Sequence, residues 1–177
     1  MYSYDTVGIV VCWTEMDCPY ACKGSQRHSS RLIAVQLLYQ IKQSDISVDD
    51  AIVQFKNWID CDEDEVNSLQ TNVKKKRALK KIDIAFINTL IQGVIDYKND
   101  VDGCLSSHVY SDFKRLPIVL LCVLELAVYE LLYETIPPQV VINEYIEITK
   151  YFFNEKEQSL VNGLLDAVNK CVKHRCS

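Results

Sequence analysis

An all-α fold is predicted by three observations. Apolar residues recur at helical spacing in six or seven separate segments. Only five Gly and four Pro occur in 177 residues, fewer breaks than a turn-rich β-sandwich uses. No segment alternates apolar and polar residues strictly for more than a few positions. Hydrophobic residues make up 49% and charged residues 24%, a balance that favours a packed core over a disordered chain. At this length a chain buries roughly 70% of its unfolded surface, so it folds without a disulfide or a metal.

Residues 1–24 have three Cys, a Trp, a Pro and a Gly but no helical period, and are expected to form a poorly ordered extension, with Met16 as an alternative start. From Arg27 onward Leu32, Val35, Leu38 and Tyr39, with Ile33, Leu37 and Ile41, form a wide apolar stripe. Ser25 or Ser29 is the expected cap. A second helix over 46–58 places Ala51, Ile52, Phe55 and Trp58 on one side, with Ser47 as its cap. After a polar link, Ile84, Ile87, Leu90, Ile91, Val94 and Ile95 mark a helix over 82–97, and 102–108 reads as a short helical piece. Pro117 suits the first turn of the next helix, which runs to about 134 and is apolar nearly all round, as a central buried helix should be. Pro137 and Pro138 punctuate the chain sharply, and 140–153 and 156–172 supply two more amphipathic helices. Two packed sub-bundles are expected within one domain at 25–176, divided into about 25–98 and 99–174.

Nineteen basic against twenty-four acidic residues give a formal charge of −5, which excludes a chain basic all over but permits a local basic patch. Eight Cys suggest a disulfide framework at first sight. However, the N-terminus has no basic signal region, and its apolar run over 7–12 is too short for a signal core. The longest apolar stretch, 118–132, contains Glu125 and Glu130 and falls short of the roughly 20 residues of a membrane span. Reduced thiols, a cytoplasmic location and no membrane are expected.

Catalytic patterns are missing from the sequence. The glycines are scattered singly, His28, His108 and His174 are isolated, and Cys12, Cys18 and Cys22 match no common zinc module. Cys104 and Cys122 read as core residues, and Cys171 and Cys176 as part of a fraying C-terminus. Nothing in the pattern pairs a nucleophile with a base. A protein that is not an enzyme, with no metal and no cofactor, is therefore expected.

Four segments are more distinctive: RHSSRLIAVQLLYQ (27–40), FINTLIQGVIDYKNDVDG (86–103), LELAVYELLYETIPPQVVINEYIEITKYF (124–152) and LVNGLLDAV (160–168). In this order they closely resemble the NusB family of bacterial transcription antitermination factors, from about residue 26 to 172. The resemblance implies two three-helix bundles that bind the single-stranded boxA element of nascent RNA. It also implies partnership with NusE, a small-subunit ribosomal protein, in the RNA polymerase antitermination complex that sustains ribosomal RNA synthesis. A homodimer is a further possibility within the family.

Single-stranded RNA is held by cations on phosphates and by aromatic or polar groups on splayed bases. The family's arginine-rich start to its first helix corresponds here to Arg27, His28 and Arg31, with Lys42 downstream. Arg27 and Arg31, four apart, are expected on one helical face, with Gln36 and Tyr39 on neighbouring faces. Tyr39 matches the tyrosine of the A-x-Q-x-L-Y motif and offers a stacking plane. This patch is thinner than the family's, two of its positions being Ser and one His, which implies weaker or more partner-dependent RNA binding. Lys74, Lys75, Lys76 and Arg77 form the densest basic run, read either as a second RNA-contacting strip or as a solvated loop beside acidic 62–65. Glu125 stands where the family's L-R-x-A-x-Y-E-L pattern has an Arg, so a compensating partner or a different ion pair is expected. Asn143, Glu144, Asn162 and Gly163 read as structural: amides and a carboxylate tying helix ends, and a glycine for close helix approach. Glu130 reads as a buried structural acid. Two other functions compete. One is a pure protein-interaction module, suited by the acidic body to a basic ribosomal protein. The other is the NusB-like domain of an rRNA cytosine methyltransferase, whose methyl-donor domain finds no room in these 177 residues.

Overall fold

The periodicities resolve into helices wherever the chain is described, at residues 25–60, 82–108 and 115–175 of a computed structural model. Among the described residues there are seven helices and no strand: α1 (Gln26–Ser44), α2 (Val48–Asp60), α3 (Ile84–Asp96), α4 (Lys98–His108), α5 (Ile118–Tyr133), α6 (Pro138–Thr149) and α7 (Glu155–Arg175). The extension at 1–24, Trp58's side chain, the basic run at 74–77 and Cys176 lie outside what is described.

Caps account for the boundaries. Ser25, not Ser29, begins α1, its side chain accepting from the His28 amide at 3.2 Å; Ser29 is buried one turn later. Asp45 closes α1 in the left-handed region at φ 52°, its amide donating to the Ile41 carbonyl. Asp tolerates that conformation better than most residues. Ser47 Oγ accepts from the Asp50 amide at 3.1 Å to start α2, and Asp83 accepts from the Phe86 amide at 2.9 Å to start α3. The short piece expected at 102–108 begins earlier, at Lys98, because the Tyr97 carbonyl accepts from the amides of Asp100 and Val101. The chain thus re-enters a helix without an intervening loop. Pro138 occupies the first turn of α6, where its missing N–H costs nothing. That helix stops at Thr149, short of 153, because the Tyr151, Phe152 and Phe153 amides turn back onto the carbonyls of Ile148 and Thr149.

Helix α5 is the axis of the assembly. Every residue from 122 to 131 is buried, and α1, α3, α4, α6 and α7 all pack on it. Around it α1 packs on both α2 and α3, α6 packs on α7, and α4 touches α7. One continuous apolar cluster runs through both groups, from Leu32 and Leu38 through Leu90 and Leu124 to Leu165 and Val168.

The close-approach glycine is Gly93 on α3, not Gly163. A Cβ built at Gly93 lies 2.0 Å from the Tyr129 ring, whereas one at Gly163 meets nothing within 4 Å. Gly163 is exposed in mid-helix, where glycine costs about 1 kcal/mol relative to alanine. Gly163→Ala is therefore expected to raise stability by about 1 kcal/mol, read as a higher urea midpoint at unchanged slope.

Candidate nucleic-acid interface

The first turn of α1 splits its residues into two environments. Arg27 is exposed. Its guanidinium carbon lies 4.0 Å from the Phe86 ring centroid, and NH1 is 3.6 Å from Asp83 Oδ2. Phe86 and Asp83 come from the start of α3, whose entry is tied to α1 by the Asp83 amide donating to Ser30 Oγ at 3.1 Å. Arg27 thus sits over an aromatic face with about half of its side chain open to solvent.

Arg31 lies in a different place. Expected beside Arg27 on an open face, it is 3% exposed and forks onto Glu130 through Nε and NH2, both at 2.8 Å. NH1 reaches Glu144 Oε2 at 3.5 Å. The reason is geometric. Four residues advance about 6 Å along the axis, and that step carries the side chain from the rim into the space covered by α3, α5 and α6. Burial alone would lower the arginine's pKa, but the Glu130 hydrogen bonds and charge outweigh it and the net direction is upward. Glu130 is 0% exposed, a buried structural acid as expected, and the Tyr145 hydroxyl beside it stays protonated, raised well above 10 by burial and then by Glu130.

His28 is also interior. Nδ1 donates to Glu144 Oε2 at 2.9 Å, Nε2 lies 2.9 Å from the Tyr151 hydroxyl, and the two rings meet edge to face. Glu144 therefore receives both His28 and Arg31 and ties the start of α1 to α6. The sequence placed Glu144 among structural residues but gave no sign of Tyr151 or of Phe86 beneath Arg27, whose roles depend on contacts between distant segments.

Further along α1, Gln36 and Tyr39 are half-buried. Tyr39 packs one side on the core, and its hydroxyl accepts from Gln43 at 3.3 Å. Lys42 donates to Glu125 Oε1 at 2.6 Å. This is the compensating partner that Glu125 required: with a carboxylate in the arginine's place on α5, α1 supplies the positive charge. Between His28 and Gln40 all other α1 residues are buried, so the solvent edge of this helix consists of Gln26, Arg27, Gln36, Tyr39 and the last turn. One further expectation is corrected. A nucleophile and a base do meet, since His108 Nε2 lies 3.1 Å from Cys171 Sγ across 63 positions of sequence.

The comparisons bear on the family and the fold. A sequence model of the NusB family matches residues 28–170. The chain is 33% identical over 145 residues to the transcription antitermination protein NusB of Caulobacter vibrioides, covering 80% of this chain and 91% of that one. Over 94 residues it is 43% identical to the same-named protein of Clostridium botulinum strain Alaska E43, covering 52% and 71%. Among solved structures, T. maritima NusB superposes with a TM-score of 0.61 at 28% identity, covering 84% of this chain and 92% of that one. The all-helical bundle, the collinear motifs and these matches establish that the chain belongs to the NusB family.

Proposed function

We propose that the protein is an RNA-binding transcription antitermination factor. In this reading it holds boxA-type single-stranded RNA together with the ribosomal protein NusE, in the cytoplasm, as part of the antitermination complex on RNA polymerase. Family membership across residues 28–170 carries the reading, and the α1 edge supplies chemistry that suits it. The first turn of α1 has no acidic residue and holds Arg27 where the helix dipole disfavours a cation. An incoming phosphate relieves that repulsion and can accept from the guanidinium's outer edge. Gln36 and Tyr39 then offer an amide and a ring to unstacked bases. Arg31 and His28 act through position: committed to Glu130, Glu144 and Tyr151, they hold the helix start that presents Arg27.

With Arg31 and Lys42 paired to carboxylates and Arg27 within 3.6 Å of Asp83, no arginine or lysine of α1 is free of a carboxylate, which favours binding that depends on the ribosomal partner. The test is a titration of boxA-type single-stranded RNA, with and without NusE, across a salt series. Arg27→Ala is expected to weaken binding and to flatten the salt slope by just under one unit, one phosphate contact's worth. Affinity and slope both unchanged would remove Arg27 from the interface. RNA affinity of the pair no greater than that of NusE alone would reduce the protein to an interaction module.

A further inference from the structure

The groove between α4 and α7 carries chemistry separate from the α1 edge. It encloses about 530 Å³ and is lined by Asp100, Cys104, His108, Tyr133 and Cys171, among others. His108 is the last residue of α4, and Cys171 is exposed on α7.

The imidazole has one consistent tautomer when neutral. Nδ1 lies 2.8 Å from the Cys104 carbonyl oxygen, and a carbonyl only accepts, so Nδ1 carries the ring proton. The Ser107 hydroxyl, 3.0 Å from that nitrogen, spends its own proton on the same carbonyl at 2.8 Å. Nε2 is left with its lone pair directed at Cys171 Sγ, 3.1 Å away. A nucleophile, a base and a third group that orients the base therefore stand in line, the arrangement that activates a thiol. Nearby acidic and phenolic groups are occupied: the Tyr133 hydroxyl donates to Asp100 at 2.5 Å, and that bond holds Tyr133 protonated, pushed up to about 12. Cys122 is the opposite case, buried on α5 with its thiol pushed up to about 12 by burial.

We propose that Cys171, activated by His108, is a modification site that reacts with low-molecular-weight disulfides by thiol–disulfide exchange. In the step, the Cys171 proton passes to His108 Nε2 and the sulfur attacks one sulfur of the disulfide. A Cys171–S bond forms as the S–S bond breaks, and the departing thiolate takes the proton from His108. The Cys171 sulfur is oxidised, the departing half of the disulfide is reduced, and no further oxidant is needed.

The test uses the full-length reduced chain and oxidised glutathione at neutral pH, with acid quenching and peptide mapping by mass spectrometry. Cys171 is expected to be modified well ahead of Cys122, and roughly tenfold faster in the folded chain than in the same chain unfolded in urea, because a larger thiolate fraction is partly offset by the lower nucleophilicity of a more acidic thiol. His108→Gln is expected to bring the Cys171 rate down to the unfolded value while leaving the circular dichroism unchanged. Equal Cys171 rates in folded, unfolded and His108→Gln chains would overturn the proposal. Should His108→Gln fail to fold, the folded-against-unfolded comparison in the unmutated chain decides alone.

Discussion

Glu130→Ala is expected to cost about 3–5 kcal/mol of folding stability, the range found when one partner of a buried ion pair is removed. The Glu130 side chain is fully enclosed, and both its oxygens accept from Arg31 at 2.8 Å. Taking the carboxylate away leaves a buried guanidinium with only Glu144, at 3.5 Å, as a counter-charge. Arg31→Met leaves the converse orphan and should cost a similar amount. The double variant Arg31→Met/Glu130→Leu removes both charges and refills the space, so it should recover most of the loss, since a buried pair is often replaceable by apolar groups of similar volume. Urea unfolding of the three variants and the parent checks this. A double variant as unstable as the sum of the singles would show that the two charges are not coupled, and would overturn the pairing as the source of the loss.

Gly93→Ala is expected to destabilise by about 1–3 kcal/mol, the usual cost of overpacking a filled site. The new Cβ lands 2.0–2.4 Å from the Cζ, Cε2 and hydroxyl of Tyr129, and no relaxed contact is that short. The obstruction is the outer end of a ring, so the ring swings aside. In doing so it leaves the stack it forms with Tyr97 and Tyr133, whose centroids lie 6.3 and 5.5 Å from its own. The loss should appear both in the urea midpoint and in the near-ultraviolet circular dichroism of the tyrosines. An unchanged tyrosine signal with full stability would show that Tyr129 does not need the space over Gly93.

The helices and the central role of α5 were legible because burial on all sides leaves a direct mark in sequence: 118–132 has almost no polar position to face water with. Caps were half legible. Ser25, Ser29 and Ser47 are all of the right type, but only the hydrogen-bond direction selects among them. The charged residues of the candidate site were legible, and their surroundings were not. Arg31 reads as a surface cation and Glu130 as a buried acid, and each is the other's partner across 99 positions. A single sequence lists charges without their distances, so the same arginine fits a phosphate or a core. Glu125 shows the reverse: the need for a compensating partner was evident, while Lys42, 83 positions away, read as a candidate RNA contact. Gly93 and Gly163 differ only in what stands opposite, which periodicity does not encode.

Phe86 has a consequence for whatever meets α1. An unrestrained arginine surrenders about 0.5–1.5 kcal/mol of rotational freedom when a ligand immobilises it. Here the ring beneath Arg27 has already narrowed that freedom before any encounter. In the proposed RNA-binding reading, part of the cost of ordering Arg27 is met before the strand arrives.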